Sequence, residues 1–278
     1  MNLILIPVYN DYKSLNKLLL IINSLISKNS TQVLIVDDCS SNKMKLDIKK
    51  MKMIKKIEVL RLSENIGSQK AIAASLKYLN EKKNRDFNYI TIMDGDGEDN
   101  PNNISLMLDF AKKNKDSVVV SCRKDRNENF LIKFGYKIHL FLTFIFTIQW
   151  MSFGNFSCFY YKNLKKILSN NSIWHAYSAA IKKNTNIYRV YAARSKRFYG
   201  KSKVRLNFLI NHSFKIIGVF YKRVIFFSII YIYLVNNYIH SNAYLLSLLI
   251  MTFNIIIILA IYKNRFKKKF TYILQRIK

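Results

Sequence analysis

The chain has 278 residues, of which 50% are hydrophobic and 22% charged, and its formal net charge at pH 7 is +30. This composition excludes a disordered chain and indicates one large domain with an appendage, because half of the residues can enter a core. All 16 acidic residues lie at or before Glu128, whereas 24 of the 46 lysines and arginines follow it. The basic second half predicts a polyanionic partner, either a nucleic acid or an anionic membrane surface.

The first 125 residues alternate short apolar runs with helical patterns. The run that opens the chain lacks a basic start and is too short for a signal peptide, so it is predicted to be a strand. Five strands are predicted, from Leu3 to Pro7, Val33 to Asp37, Ile57 to Leu62, Tyr89 to Met93 and Val118 to Ser121. Three helices are predicted between them, from Tyr12 to Ser27, Ser68 to Lys82 and Asn103 to Asn114. This alternation predicts an α/β fold with a mostly parallel sheet and helices on both faces.

Polar side chains follow each of the first four predicted strands. The four stretches are Pro7-Val-Tyr-Asn-Asp11, Asp37-Asp-Cys-Ser-Ser41, Glu64-Asn-Ile-Gly-Ser-Gln-Lys70 and Asp94-Gly-Asp-Gly-Glu-Asp99. Each stretch alone has an ordinary explanation as a helix cap, a turn or a chance pair of acids. Ligands bind beyond the carboxyl ends of the strands in such sheets, so the four stretches together predict a binding site at one edge.

The last of these stretches places four carboxylates within six positions, at Asp94, Asp96, Glu98 and Asp99. Carboxylates at this spacing repel one another, and such a cluster usually persists because a cation lies among them. The two intervening glycines let the backbone turn so that alternate side chains face one ion. The sequence therefore predicts a cation site after the fourth strand.

The cysteine pattern bears on the cellular compartment. Cys39, Cys122 and Cys158 are an odd number, lie far apart and lack metal-ligand spacing. We interpret them as reduced thiols in a domain that faces the cytosol.

Two stretches near the C-terminus carry no charge, from Val224 to Ile239 and from Ala243 to Tyr262. The second has about the twenty residues that a membrane-spanning helix needs. The first is shorter and ends in Asn236 and Asn237, so a buried amphipathic helix remains its alternative. Basic residues flank the pair on both outer sides, which predicts a transmembrane hairpin with both termini in the cytoplasm and residues 237–242 on the far side.

The predicted organisation has four parts. They are a domain at 1–205 that carries the predicted binding site, a juxtamembrane amphipathic segment at 206–223, two transmembrane helices at 224–262 and a basic cytoplasmic tail at 263–278. A further apolar stretch, from Ile138 to Met151, is too short to span a membrane. It is interpreted either as an interfacial helix beneath the site or as a buried core helix.

Eight short motifs follow one another along the chain. They are Pro7-Val-Tyr-Asn10, Val36-Asp-Asp38, Asn65-Ile-Gly67, Met93-Asp-Gly-Asp96, Ser121-Cys-Arg123, Gly154-Asn-Phe-Ser157, Trp174-His-Ala-Tyr177 and Arg197-Phe-Tyr-Gly-Lys-Ser-Lys203. In this order they resemble the motifs of family 2 glycosyltransferases with the GT-A fold. The resemblance covers residues 1–223 and is strongest to membrane-anchored enzymes similar to dolichyl-phosphate mannose synthase and to bacterial polyprenyl-phosphate sugar transferases. No single motif is specific, whereas the ordered series is.

The resemblance implies a nucleotide-sugar donor carried by UDP or GDP. Asp94 and Asp96 would anchor its diphosphate through Mg²⁺ or Mn²⁺, with Glu98 as a third metal ligand. The other implied donor contacts are Pro7, Tyr9, Asn10, Asp11, Asp38, Asn65, Gly67, Lys70 and Arg123. Among these, Tyr9 and Asp38 would face the base, and Lys70 would face the phosphates, with a solvated helix face as its alternative.

An acceptor hydroxyl would need a general base, and many family members supply an aspartate in the region of Trp174. This chain has His175 there, and no carboxylate follows Glu128. Three alternatives stay open, in which the base is His175, the base is Asp99, or the acceptor is a phosphate that needs none. The predicted catalytic residues are Asp94, Asp96, His175, Arg197 and Lys203. Of these, Arg197 and Lys203 would contact the diphosphate or a lipid phosphate.

These features predict a membrane-anchored, inverting glycosyltransferase of the cell envelope that moves a sugar to a lipid-linked acceptor, with polyprenyl phosphate as the leading candidate. Transfer to a sugar hydroxyl of a glycolipid or polysaccharide precursor is the alternative. A basic protein that binds a membrane or nucleic acid without catalysis is a third interpretation. A nucleic-acid partner is not expected, because the acidic cluster would repel its phosphates.

Overall fold

The computed structural model describes residues 1–82, 84–123, 130–200, 206–239, 242–263 and 271–278. Within these ranges the centre of the molecule is one mixed sheet. Its strands are β1 (Asn2–Val8), β2 (Thr31–Asp37), β3 (Lys56–Leu62), β4 (Tyr89–Ile92), β5 (Ser117–Arg123), β6 (Phe153–Tyr160), β7 (Asn186–Ala192) and β8 (Tyr272–Arg276). Their order across the sheet is β7-β5-β6-β4-β1-β2-β3-β8.

Parallel pairing dominates the sheet. Strand β1 pairs in parallel with β2 and β4, β2 with β3, and β5 with β7. Strand β6 is inserted antiparallel between β4 and β5, and β8 pairs antiparallel with β3. The expectation of an α/β fold with a mostly parallel sheet is therefore confirmed.

The helices cover both faces of this sheet and then form a separate layer. They are α1 (Tyr12–Leu25), α2 (Ser68–Glu81), α3 (Asn103–Lys113), α4 (Phe130–Thr147), α5 (Asn163–Ile167), α6 (Tyr177–Asn184), α7 (Leu206–Val219), α8 (Tyr221–Tyr238) and α9 (Ala243–Lys263). One apolar cluster packs α1 and α3 on one face, and a second packs α2, α5 and α6 on the other. Every residue of β1 and β2 is buried, as expected of strands that are covered on both faces.

The elements predicted in the first 125 residues are confirmed. Each of the five strands and three helices ends within two residues of its predicted bounds. The capping residue Asp11 begins α1, because its side chain accepts a hydrogen bond from the Ser14 amide at 3.3 Å. Gly67 begins α2 with φ +83°, a backbone conformation that other residues rarely adopt.

Helices α4, α7, α8 and α9 pack against one another around a small apolar cluster of Phe146, Ile217, Val224 and Ile257. Helices α8 and α9 lie antiparallel, since Asn236 Nδ2 donates to Ser247 Oγ at 2.9 Å. A second such contact joins Asn254 Nδ2 to Ser228 Oγ at 2.8 Å. Residues Ile138 to Thr147 of the predicted interfacial or core helix belong to α4.

One helix in the described part of the chain is long and apolar enough by itself to cross a membrane. It is Ala243–Tyr262, with a mean hydropathy of 2.6. The preceding segments, Leu209–Val219 and Tyr221–Tyr238, pass the same test only when they are taken together, and they meet at an angle of 88°. The second predicted span is thus a candidate by length and composition, and the predicted transmembrane hairpin is not established.

The end of the chain returns to the sheet. Residues 263–278 were expected to form a basic tail, but Tyr272–Arg276 forms β8 at the outer edge of β3. The Tyr272 ring packs edge-on against Tyr78 at 5.5 Å between centroids. An exposed strand edge offers unpaired backbone donors and acceptors, which a short terminal segment can pair without any apolar pattern of its own.

Candidate active site

The acidic loop after β4 is held in shape by its own carboxylates. The Asp94 amide donates to Asp99 Oδ2 at 2.9 Å, and the Glu98 amide donates to Asp96 Oδ1 at 3.0 Å. Gly95 passes so close to β1 that a Cβ there would lie 3.2 Å from the Ile6 side chain. The loop therefore lies against the carboxyl end of β1, where the first polar stretch also begins.

A second loop, residues 194–200, covers the acidic loop. Arg197 Nη1 donates to Asp96 Oδ2 at 2.9 Å, and Arg197 Nη2 donates to Asp11 Oδ2 at 2.7 Å. Arg194 forms an ion pair with Glu98. The backbone adds a bond from the Phe198 amide to the Asp96 carbonyl at 2.9 Å. Two arginines thus neutralise carboxylates that would otherwise repel one another.

The predicted metal ligands are only partly brought together. Across the described ranges, no three histidine, cysteine, aspartate or glutamate side chains are grouped closely enough to form a metal site. Glu98, expected as a third ligand, forms an ion pair with Arg194. Asp96 and Asp11, however, converge on a single cationic group, the Arg197 guanidinium. Two carboxylates that share one cation fit Mg²⁺ or Mn²⁺, which prefer oxygen ligands.

The loops that would hold a nucleoside are tied to one another. Both Asp38 oxygens accept backbone amides, from Ile66 at 2.8 Å and from Gly67 at 2.9 Å. Burial raises the pKa of Asp38 to about 6. Asn10 joins the neighbouring loop, since its Oδ1 accepts the Ser41 amide at 2.9 Å. These bonds fix the edge of the predicted donor site.

The remaining predicted donor residues lie at the same edge. Pro7 is buried within β1, whereas Tyr9, just beyond it, is 48% exposed. Asn65 is exposed on the loop that precedes α2, and Lys70 is in the first turn of that helix. The Arg123 backbone ends β5, but its side chain and the whole of Lys203 lie outside the described residues.

A chain of hydrogen bonds that the sequence analysis did not anticipate leads away from Asp94. Asn155 Nδ2 donates to Asp94 Oδ1 at 3.2 Å, and Gln69 Nε2 donates to Asn155 Oδ1 at 3.0 Å. Gln69 Oε1 then accepts the Tyr177 amide at 2.8 Å, at the start of α6. Asn155 belongs to the Gly154-Asn-Phe-Ser157 motif, which was the indication of its role that the sequence offered. Its position beside Asp94 becomes visible only in the fold.

A small cavity adjoins this series of hydrogen bonds on the side of β5 and β6. It is lined in part by Asp94, Asp99, Ser121, Asn155 and Arg194. Burial and the neighbouring Asp94 raise the pKa of Asp99 well above its usual range. Arg194 is a further site residue that the sequence analysis missed, although it stands only three positions before Arg197.

His175 lies at the far end of the hydrogen-bond chain, two residues before Tyr177. It is half-buried, and its pKa is lowered first by burial and then by the charges of Lys70, Lys215 and Lys183. The imidazole is therefore neutral at pH 7 and able to accept a proton. The structure thus brings His175 and Lys70 together, on the opposite side of Gln69 from the acidic loop.

Comparison with known proteins supports the fold and the family. The sequence model of the family described as glycosyl transferase family 2 matches residues 3–201. No curated protein matches the sequence significantly. Among solved structures, Staphylococcus aureus TarS 1–349 in complex with UDP-GlcNAc is 16% identical, with a TM-score of 0.51 over 79% of this chain and 66% of that one. This chain therefore spans just under two thirds of that structure, and 44% of a longer TarS structure.

Two further structures come from one enzyme of Mycobacterium tuberculosis, glucosyl-3-phosphoglycerate synthase. Its complex with Mg²⁺ and UDP is 12% identical, with a TM-score of 0.52 over 81% of this chain and 79% of that one. Its complex with Mn²⁺, UDP-glucose and phosphoglyceric acid has a TM-score of 0.51 at the same identity and coverage. These likenesses concern the fold, which is that of GT-A enzymes. The family model spans most of the chain and the acidic loop lies at the expected strand end, and the protein accordingly belongs to glycosyl transferase family 2.

Proposed function

We propose that this protein transfers a sugar from a nucleotide diphosphate sugar to polyprenyl phosphate at a membrane surface. The observation that carries the proposal is the cation position shared by Asp96 and Asp11 at the carboxyl end of the parallel strands. A divalent ion there would neutralise the charge that develops on the leaving diphosphate. The UDP complexes of the two structural relatives make a UDP-linked sugar the first donor to test.

The residues around the acidic loop suit an inverting transfer. Asp96 and Asp11 would hold the ion, and Asp94 would orient the donor sugar, kept in place by Asn155. An acceptor phosphate oxygen would attack the anomeric carbon from the opposite face. A carbon–oxygen bond forms there, the bond to the donor β-phosphate breaks, and the nucleoside diphosphate leaves with the bonding electrons. No proton has to be removed, because the acceptor phosphate is already ionised.

The apolar helical layer supports attachment to a membrane. Large side chains point outward from α8 and α9, such as Ile229 at 63% and Leu259 at 59% exposure. Helix α4 adds Phe141 to this surface at 60% exposure. An exposed apolar surface of this kind marks a membrane or protein contact, and the length of α9 favours a membrane.

The position of β8 restricts how the chain can cross. Strands β7 and β8 belong to one sheet, yet α7, α8 and α9 lie between them in sequence. If α9 spans a membrane, a second crossing would be needed to bring β8 back to the sheet that contains β7. We propose that α9 and the bent α7–α8 pair enter together, with the catalytic domain and both termini in the cytoplasm, where nucleotide sugars are supplied.

One observation favours a second candidate acceptor. Because its pKa is lowered, His175 is neutral at pH 7 and could deprotonate a sugar hydroxyl. Transfer would then build an ordinary glycosidic bond on a glycolipid or polysaccharide precursor. The two candidates differ in their products, a glycosyl phosphate or a glycoside.

The donor and the lipid nature of the product can be tested together. Membranes that contain the protein are incubated with a panel of radiolabelled nucleotide sugars, the UDP sugars first, and then extracted with organic solvent. We expect label from one donor to enter the organic phase, and an Asp96→Asn variant to leave it in the aqueous phase. Label that enters only water-soluble or polymeric material would contradict a lipid-linked acceptor.

A further inference from the structure

The end of helix α4 and the turn that follows it present large apolar side chains to the surroundings. Phe141, Phe144, Ile148 and Trp150 are each between 47% and 60% exposed. The rings of Phe144 and Trp150 contact each other, with centroids 6.2 Å apart and an interplanar angle of 74°. These four residues form the α4 patch. The patch ends where the chain re-enters the core, because the next residue, Met151, is buried.

The backbone of the α4 patch is strained at Ile148. Its φ is +53°, in the left-handed region that β-branched residues rarely enter. This conformation ends the helix, since the Ile148 amide still donates to the Phe144 carbonyl at 2.7 Å. Asparagine or glycine would form the same turn at a lower cost in free energy. An isoleucine that is both strained and exposed is unfavourable in water, which indicates an apolar partner for its side chain.

Two arginines from other elements hold the backbone next to the α4 patch. Arg223, at the start of α8, donates from Nη1 to the Thr147 carbonyl at 3.2 Å. Arg189, in β7, donates from Nη2 to the Trp150 carbonyl at 3.1 Å. Arg223 is exposed and Arg189 is half-buried. A guanidinium has five N–H donors, so one contact with a carbonyl leaves it able to bind an anion as well.

The contacts of α4 with the other apolar helices indicate the depth at which the patch would lie. The Phe146 ring stacks on Phe253 with centroids 4.5 Å apart, and Tyr231 Oη donates to the Ile145 carbonyl at 2.7 Å. Phe253 is at the middle of the 21 residues of α9, about 15 Å from either end. A helix of this length that crosses a bilayer has its middle in the hydrocarbon region. The end of α4 would then be surrounded by lipid.

We propose that the α4 patch inserts into the membrane leaflet on the side of the catalytic domain, and that Arg189 and Arg223 bind the phosphates of anionic phospholipids around it. The inference rests on the membrane attachment in the proposed function and deepens it by naming the lipid class.

The chemistry of the α4 patch and its two arginines matches such lipids. Aromatic rings and arginines together suit the headgroup level, where an apolar body meets a polar or charged end. Arginine binds phosphate through charge-assisted, often bidentate hydrogen bonds. Asn155, five residues after Trp150, contacts Asp94, so insertion of the patch would place the active site next to the membrane surface.

Trp150 can report directly whether the α4 patch touches lipid. The chain has two tryptophans, so a Trp174→Phe variant of the full-length protein keeps Trp150 as its single tryptophan. This variant is placed in nanodiscs of phosphatidylcholine with brominated chains, which quench tryptophan fluorescence at contact distance. We expect most of the Trp150 fluorescence to be lost relative to nanodiscs of the unbrominated lipid. A Leu249→Trp variant that lacks both native tryptophans reports on α9 in the same way.

The lipid class is tested by comparing two brominated lipids at the same mole fraction in phosphatidylcholine. Brominated phosphatidylglycerol should quench Trp150 more strongly than brominated phosphatidylcholine. Arg189→Gln and Arg223→Gln should each lower this relative affinity about fivefold, the loss expected for one basic residue at an anionic surface. Arg189→Lys and Arg223→Lys should retain it, because the charge remains. Arg85→Gln is the matched control, since Arg85 Nε likewise donates to a carbonyl after a helix, that of Lys82 at 3.1 Å.

A third measurement separates lipid contact from a structural role of Ile148. Ile148→Asn relieves the backbone strain, so the unfolding temperature in detergent should stay the same or rise. The same variant should reduce the quenching of Trp150 by brominated phosphatidylcholine, because an apolar anchor is lost. A lower unfolding temperature with unchanged quenching would show that Ile148 serves the fold, and would contradict its insertion.

The outcomes separate this inference from the proposed function. Quenching at Leu249→Trp without quenching at Trp150 overturns insertion of the α4 patch and leaves membrane attachment by α9 standing. Absence of quenching at both positions overturns both. Equal quenching of Trp150 by the two brominated lipids overturns the binding of anionic phospholipids. A Trp150 that stays unquenched, in a dimer that Ile148→Asn converts to a monomer, also overturns the inference and identifies a second copy of the chain as the partner.

Discussion

Arg197 and Asp96 are 101 positions apart in the chain, yet the guanidinium Nη1 atom lies 2.9 Å from the carboxylate Oδ2 atom. The same guanidinium also reaches Asp11. The crowded carboxylates are therefore neutralised by a loop of the protein itself. We propose that a divalent ion at Asp96 would compete with this guanidinium, which would then be available for the donor diphosphate.

Asp96→Asn is expected to abolish metal-dependent transfer, with a loss of about a hundredfold or more, because a key oxygen ligand becomes neutral. The fold should remain, at a cost of about 1–2 kcal/mol, since the amide still accepts one hydrogen bond from Arg197. Transfer is measured after chelation and readdition of Mn²⁺. Asp109→Asn, at an exposed ion pair with Lys112, is the matched control. Undiminished transfer by Asp96→Asn would refute the role of this carboxylate.

Gly97→Ala is expected to displace the loop of residues 194–200. A Cβ at this position would overlap the Phe198 ring, and the backbone has φ +88°. Limited proteolysis should therefore cut this loop faster, and the unfolding temperature should fall. Gly67→Ala has nearly the same φ, +83°, but no atom within 4 Å of the added Cβ, so it isolates the backbone penalty. If the loop is cut at the same rate in both variants, the position of the Phe198 ring does not depend on the absence of a side chain at residue 97.

The buried Asp38 should make stability depend on pH. Its pKa is about 6 in the folded chain against an ordinary 3.8, so the folded state binds more protons between these values. Its contribution to the free energy of unfolding is therefore favourable below about pH 4 and falls as the pH rises to 6, by at most about 3 kcal/mol. Asp38→Asn removes this dependence.

The measurement for Asp38 is denaturant unfolding of the wild type and the Asp38→Asn variant at pH 4.5 and pH 7. The difference between the two proteins isolates Asp38, because other titrating groups, such as Asp99, occur in both. We expect the variant to gain stability relative to the wild type at the higher pH. A difference that does not change with pH would mean that Asp38 titrates alike in the folded and unfolded chains.

The sequence predicted the first half of the fold well because its signals there are local. Strands β1 to β5 alternate with helices, and each apolar run ends at a turn or a cap. Strand β6 was missed because its place between β4 and β5 depends on pairing with distant segments. Strand β8 was taken for a tail because five exposed residues have no buried face to give them a pattern.

The residues of the candidate site could likewise be predicted only where they lie close together in sequence. The acidic loop and its strand end could be predicted, because the side chains are close together in sequence. The roles of Asn155 and Gln69 could not, since their hydrogen bond joins residues 86 positions apart. The pairing of Glu98 with Arg194 was also invisible in the sequence, and the role of Glu98 as a metal ligand stays a prediction.

The membrane arrangement makes a prediction for cysteine labelling. In a Cys39→Ser background, a cysteine at Ser241, between α8 and α9, should react with an impermeant thiol reagent applied from outside the cell. A cysteine at Gln275 should not, because this residue pairs with Val59 in the sheet and stays on the side of the catalytic domain. Cys122 and Cys158 are buried and give little background. Labelling at Gln275 but not at Ser241 would reverse the proposed orientation.

The most direct test of the central claim is the linkage in the product made by the purified protein from its nucleotide sugar and a polyprenyl phosphate. Mild acid releases the sugar from a glycosyl phosphate and leaves an ordinary glycoside largely intact. We predict a labelled lipid that forms with polyprenyl phosphate, does not form with polyprenol, and loses its sugar in mild acid. A product that survives mild acid, together with transfer that is abolished by His175→Ala in a folded protein, would contradict the account and identify a sugar hydroxyl as the acceptor.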